Sequence, residues 1–380
     1  MRGEVVAHRD GDDMKTRHRQ RSWLPILVCT LAGGWALLAC GPGVWEPVPD
    51  PPQHIKYDTV RIEYGEGDDR LDPTQEDFEQ VQQTLVGEQS EIAILTLDTI
   101  SDTNRAIYST LDLIDRIKKL PYSYDEDSKT YVWEGRGGKQ DNYVRLEVRT
   151  RALETRPRGD NIDQSHTFAL YYGLSVSDKE LVADGEFERF SNGLETGSRQ
   201  QGEGILRIYF DNRRLYDNTS PKGVMRIAFR SKNGVRQVRS GLFRTHINSP
   251  EQMLNAIYEY EQYADKQGRF RFFGNQNVDG EPKREFVSVN AAWTGARDGI
   301  AAVRATGGSL GEQQLLFRQC WDPGSITTFM VTRPSNPEFE GGTKEDCDET
   351  LRDLELEAPE YKDAPEQDPG IPDPHPRESP

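Results

Sequence analysis

Met225-Arg226-Ile227-Ala228-Phe229-Arg230 alternates apolar and charged side chains, and Asn233-Gly234 lies just beyond it. Val235, Val238 and Phe243 follow the pair. A period of two sends successive side chains to opposite faces, so this stretch reads as a strand with one apolar and one wet face. Asn-Gly supplies the consecutive positive-φ residues that a two-residue hairpin needs. The segment is therefore expected to be two antiparallel strands. The same alternation recurs in Tyr143-Val144-Arg145-Leu146-Glu147-Val148-Arg149 and in Leu206-Arg207-Ile208-Tyr209-Phe210. Asp184-Gly185, Asp279-Gly280 and Asp298-Gly299 are further turn signals. Residues 253–263 carry a helix-like start, Ser249-Pro250-Glu251-Gln252, yet Tyr258 and Tyr260 alternate. The alternation favours a strand, turning through Asp265-Lys266-Gln267-Gly268 into Arg269-Phe270-Arg271-Phe272. Residues 55–64, with Val60, Ile62 and Tyr64 in alternation, are expected to add one more.

Arg145, Glu147, Arg207, Arg226 and Arg230 would line the solvated face of such a sheet. The apolar face needs a cover, and two helical stretches precede the strands. Asp72-Pro73 is a cap before a first-turn proline, with Glu76 and Asp77 behind it. Residues 101–120 place Ile107, Leu111, Ile114 and Ile117 at helical spacing, with Ser101 or Asp102 as cap and Pro121 as stop. The expected class is mainly β (α+β): a large curved antiparallel sheet, or part-open barrel, packed on a few N-terminal helices within residues 73–120. A membrane-spanning barrel is disfavoured, because the runs are mostly six to eight residues and spanning takes about 9–11.

The chain has 380 residues, 47 basic and 64 acidic, for a net charge of −17. A mean hydropathy of −0.78 excludes repeated apolar membrane helices. A net-acidic surface repels phosphate, so nucleic acid is not an expected partner. Residues 23–39 are free of charge and follow Lys15, Arg17, Arg19 and Arg21. A basic flank and a short apolar core make a secretory signal rather than a span. Glu4, Asp10, Asp12 and Asp13 are unusual ahead of such a core, so translation is expected to start at Met14.

Leu37-Leu38-Ala39-Cys40 resembles the lipobox of bacterial lipoproteins. The resemblance implies that residues 1–39 are a removed signal peptide. Cys40 would then become the acylated first residue, carrying diacylglyceryl and palmitate-type chains that hold the protein on a lipid bilayer. Gly41, where Asp marks inner-membrane retention, implies the outer membrane of the cell envelope. Loss of the leader removes six basic and four acidic side chains and leaves −19. Residues 40–53, with Pro42, Pro47, Pro49, Pro51 and Pro52, then read as an extended tether. Residues 54–354 are expected to form one β-rich domain, and the acidic, proline-rich residues 355–380 a disordered tail. The domain also resembles uncharacterised β-rich envelope lipoproteins that end in a Cys-containing segment, here Gln319-Cys320-Trp321-Asp322.

Once Cys29 leaves and Cys40 is acylated, Cys320 and Cys347 remain. An even pair in an exported chain is expected to form a disulfide. No catalytic or metal residue and no cofactor is assigned. Gly307-Gly308-Ser309-Leu310-Gly311 matches the nucleophile-elbow spacing, but its only downstream His is His375. Asn275-Gln276-Asn277-Val278-Asp279-Gly280 opens like a calcium loop, yet Phe286 stands where the bidentate Glu belongs. The clusters Glu66, Asp68, Asp69 and Asp125, Glu126, Asp127 read as solvated loops. His54, His166, His246 and His375 show no paired-ligand spacing. The function expected is a non-catalytic interaction or structural domain displayed on a membrane anchor. The alternatives are a carrier for lipid or another apolar ligand, and an uncharacterised hydrolase.

Overall fold

The computed structural model describes residues 50–52, 61–64, 87–137, 141–151, 162–190, 201–216, 222–246, 254–276, 285–337, 339–352, 354 and 356–358. The chain divides into Met1–Val48 and Pro49–Pro380, and the described residues belong to the second unit. The leader, Met14, Cys40, the helix expected at Pro73, the Asp279-Gly280 turn and the tail from 359 onward lie outside them.

The fold is mainly β. A long helix, α1 (Glu91–Ile117), precedes fourteen strands. They are β1 (Tyr122–Asp125), β2 (Thr130–Gly137), β3 (Asn142–Thr150), β4 (Ile162–Gly173), β5 (Lys179–Phe190), β6 (Gly202–Tyr209), β7 (Lys222–Lys232) and β8 (Val235–His246). After them come β9 (Leu254–Gln262), β10 (Gly268–Gln276), β11 (Glu285–Trp293), β12 (Gly299–Thr306), β13 (Gln314–Trp321) and β14 (Thr327–Arg333). Short helices α2 (Phe210–Arg214) and α3 (Glu349–Arg352) follow β6 and β14. Each strand pairs antiparallel with its neighbours in chain order, and β1 and β14 each have one strand partner. Among the described residues the ladder is therefore open.

The turn at Asn233-Gly234 has φ of 54° and 80°, and Lys232 pairs with Val235 across it. Residues 254–262 are strand, as their alternation requires. Asp184-Gly185 is not a turn: it lies inside the 12-residue β5. Gly185 faces inward, where an added Cβ would come 2.5 Å from the Phe168 ring, so close packing and not turn geometry requires glycine here. Strands β4, β5 and β8 each have 12 residues, longer than their alternating cores suggested. Strand length therefore does not disfavour a spanning barrel. The polarity of the faces does, because the apolar face turns inward onto α1 and the charged face outward.

The inward rows can be followed across the ladder. Tyr131, Val148, Phe168, Leu206, Ile227, Tyr258, Phe272, Val289 and Val303 are linked by cross-strand pairing, some through an intervening residue. They join Ile100, Ile107, Leu111 and Ile114 of α1 in one buried cluster. One side of α1 thus packs on the sheet that curls around it. The N-terminal end of α1 is fixed by a Ser90 Oγ–Gln319 Oε1 hydrogen bond of 2.8 Å. At the other end the Lys118 ammonium sits over Trp133 at 5.8 Å.

The helix starts eleven residues earlier than the cap at Ser101 would place it. Ser90 caps it, accepting from Ala93 N at 3.1 Å. Thr96 and Thr99 conceal the extension in the sequence, being poor helix formers, but their hydroxyls donate to the carbonyls of Ile92 and Leu95. Ser101 is buried mid-helix.

Residues 61–64 are not a strand of the sheet. The side chain of Asn104 on α1 replaces a strand partner: Ile62 N donates to Oδ1 at 2.9 Å, and Nδ2 donates to Ile62 O at 2.8 Å. Arg236 Nη1 donates to Arg61 O at 2.6 Å, and Gln262 Nε2 to Glu63 O at 2.8 Å. Trp321 Nε1 donates to the Tyr64 hydroxyl at 2.8 Å. The segment thus plugs one end of the concave face. Glycine makes room for the two tryptophans that meet Tyr64: a Cβ on Gly268 would lie 2.2 Å from Trp293, and one on Gly299 2.0 Å from Trp321.

On the outer face, Cys320 and Cys347 form the expected disulfide. With Leu351 they bury Ala292 and Ile300, and Phe329, Leu354 and Leu356 pack beside them. Asn290 Nδ2 donates to Glu357 O at 3.1 Å, and Ala358 is buried. Order therefore continues beyond residue 354, where the sequence composition put the start of the tail.

Candidate functional site at the first sheet edge

Strands β1 and β2 form a hairpin whose inward side is aromatic. Tyr124 and Tyr131 rings lie 4.6 Å apart, Tyr122 and Trp133 5.6 Å, and Tyr122 and Tyr131 5.8 Å. Tyr131 and Trp133 are buried, while Tyr122 stays 38% exposed at the sheet edge. Residues 50–52, the end of the proline-rich stretch, lie on this ledge. Tyr131 Oη donates to Asp50 O at 3.2 Å, and Lys118 Nζ donates to Pro52 O at 2.7 Å. Burial pulls the Lys118 ammonium below the ordinary lysine range, and Asp115 opposes this in part. Burial likewise pushes the Tyr131 phenol upward. A proline-rich segment on tyrosines and tryptophan uses a general recognition mode, in which an extended chain spends little entropy on docking. The described end of the tether is thus seated on the domain. Tyr122-Ser123-Tyr124 and Tyr131-Val132-Trp133, on either side of an acidic turn, were the sequence signal for this ledge.

That turn borders a cleft of about 640 Å³ between the β1–β2 turn and β3–β5. Lys129, Arg149, Arg151, Ser165, Thr167 and Glu188 line it. Arg151 is engaged by Glu186 at 2.8 Å. The acidic cluster Asp125, Glu126, Asp127 is organised by one carboxylate. Asp125 Oδ1 accepts from Asp127 N at 3.1 Å, and Oδ2 accepts from Ser128 Oγ at 2.8 Å. The Ser128 hydroxyl and then the backbone N–H groups lower its pKa. A depressed carboxylate stabilises the fold above its ordinary pKa and ceases to as pH falls through the folded value. Protection of the Asp127 and Ser128 amides, taken against their intrinsic exchange rates at each pH, should therefore be lost below the ordinary value of 3.8. In Asp125→Ala that protection should be missing at all pH values.

The outward faces of β2–β10 carry paired charges. Arg145 bonds both Glu134 and Glu147. Asp184 accepts from Arg207 at 2.9 Å and from the Tyr209 hydroxyl at 3.0 Å. Burial first, then Asp184, pushes the Tyr209 phenol up to about 12. Arg239 meets Glu259 at 3.2 Å. Arg230, expected to be solvated, is buried and stands 3.7 Å from Glu203. Each half-exposed pair contributes on the order of 0–1 kcal/mol and satisfies its own charges.

Other sequence candidates occupy structural positions. Gly308–Leu310 is a single turn between β12 and β13, not a strand-to-helix elbow. Asn275 Oδ1 accepts from Asn255 N at 2.8 Å, Asn275 pairs with Phe286 across β10 and β11, and residues 277–284 of the calcium-like loop lie outside the described residues. His166 is buried against Phe187 at 5.6 Å. Among the described residues, no three His, Cys, Asp or Glu side chains gather as a metal site would require. Comparisons with protein-family models, curated proteins and solved structures found no match.

Proposed function

We propose that this chain is a lipid-anchored protein of the bacterial cell envelope, whose β-rich domain is a non-catalytic interaction or structural module held at the membrane. The lipobox-like Leu37-Leu38-Ala39-Cys40, behind a basic flank and an apolar core, carries the reading. The folded unit begins at Pro49, a few residues past that cysteine. The disulfide between Cys320 and Cys347 agrees with an oxidising compartment outside the cytosol. Gly41 favours outer-membrane residence. The lipid bilayer is then the first partner, through acyl chains that add about 0.8 kcal/mol per buried methylene.

The carrier alternative needs an empty apolar space on the concave face. Helix α1 occupies that face, and the gap between it and β4–β6 measures about 10 Å³. That is about the room of one water molecule, which weighs against a lipid in this place.

Intact-mass analysis of membrane-extracted protein should show residues 1–39 missing and diacylglyceryl plus acyl mass on Cys40. Cys40→Ser should remain unprocessed and lose the acyl mass. A shortened Cys40→Ser product that still partitions with bilayers would falsify the anchor.

A further inference from the structure

We propose that the β1–β2 edge is the membrane-facing side of the domain, with Tyr122, Tyr124 and Lys119 at the lipid headgroup layer. This rests on acylation of Cys40. The argument is one of chain length and attachment. Asp50 is ten positions from Cys40, and an extended chain covers at most about 3.3–3.6 Å per residue. With a polyproline rise of about 3.1 Å, ten residues reach about 31 Å. The far end of that short span is fixed, because Tyr131 and Lys118 hold the carbonyls of Asp50 and Pro52. The domain cannot tumble freely on its anchor; the edge carrying the seat is drawn to the bilayer.

The chemistry of the edge suits that place. Tyrosines with an apolar body and a polar tip are favoured at the headgroup level, and cations beside them meet anionic lipid. Tyr122 is exposed, Tyr124 half-buried and Lys119 exposed at the end of α1. Among the described residues β1 pairs with β2 alone, and an open edge in free solution would invite another strand. The acidic turn begins at Asp125, next to Tyr124 and at the far end of β1 from Tyr122 and Lys119.

The test uses the full lipidated protein in nanodiscs containing anionic lipid. A fluorophore is placed at Ser123→Cys on β1, or at Glu88→Cys beside the start of α1. The two sites are separated by the length of α1, about 40 Å at 1.5 Å per residue. Headgroup-attached nitroxide should quench position 123 several-fold more than position 88. Lys118→Ala combined with Tyr131→Phe should bring the two toward equality, with the circular dichroism unchanged. Equal quenching in the otherwise unaltered protein overturns the orientation, and so does a dimer that shields position 123 from the lipid quencher. A release variant that keeps the full difference overturns the role of the seat. Intact mass on the same sample separates the two levels: an acylated Cys40 with equal quenching sinks the orientation alone, and an unacylated Cys40 sinks both readings.

Discussion

Trp321→Ala should cost about 4 kcal/mol of unfolding free energy, within the range for a buried aromatic cut to a methyl. The indole is 2% exposed and lies over Gly299, where a Cβ would approach within 2.0 Å. Its N–H holds the Tyr64 hydroxyl at 2.8 Å, and Tyr64 in turn packs on Trp293 at 5.0 Å between centroids. Truncation leaves a cavity and also loosens residues 61–64 from the end they close. Trp321→Phe fills most of the space but removes the indole donor to the Tyr64 hydroxyl, so it should cost clearly less than the alanine variant, roughly 0.5–1.5 kcal/mol for the lost hydrogen bond. Gly299→Ala attacks the same contact from the other side and should cost about 1–3 kcal/mol by overpacking. Because the three atoms nearest the new methyl all belong to the indole, the double variant should be clearly less destabilised than the sum of its parts. Urea titrations with unchanged slope measure all four proteins. Strict additivity would mean that the glycine is not there to admit the tryptophan.

The sheet was legible because a period of two is a local signal and every strand pairs with its chain neighbours. Asn233-Gly234 is the clearest case, since a hairpin keeps both the pattern and the turn within a few residues. Asp184-Gly185 misled for the opposite reason. Its glycine answers to the Phe168 ring on β4 and the Ile205 carbonyl on β6, contacts invisible along the chain. The early start of α1 was hidden by threonines whose hydroxyls bond back into the helix. The plug at residues 61–64 was read as a strand because its alternation is real. Its partners are side chains from Asn104, Arg236 and Gln262, remote in sequence, and no periodic pattern announces them. The seat of residues 50–52 could not be read from their proline content. Proline content sets stiffness, not whether a surface waits to receive the segment, and that surface is completed only when β1 and β2 pair beside the end of α1.

Reducing the Cys320–Cys347 bond should lower stability by about 3.5 kcal/mol if loop closure alone counts, since it closes a sequence separation of 27 residues. The loss should be felt unevenly. Cys320 sits in β13 on a face whose apolar cover is the C-terminal segment itself: Cys347, Leu351, Leu354 and Leu356 over Ala292 and Ile300. Among the described residues of that segment, two short elements, Lys344–Asp346 and Glu349–Arg352, give it helical order of its own. Without the bond the cover is held by this small apolar cluster, by Arg318 on the Leu354 carbonyl and Asn290 on that of Glu357, and at its start by the Gly341–Met330 bridge and Glu340 on Thr332. Hydrogen exchange in dithiothreitol should therefore speed first over residues 339–358 and at the β13–β14 pair. The β2–β8 ladder, whose inward rows pack on α1, should keep its protection until global unfolding. Uniform acceleration across the sheet would mean that the bond supports the whole ladder. No change anywhere would mean that the apolar contacts of the clasp suffice without it. A Cys320→Ala, Cys347→Ala double variant should reproduce the reduced pattern and be indifferent to dithiothreitol, which separates loss of the crosslink from any other effect of the reductant.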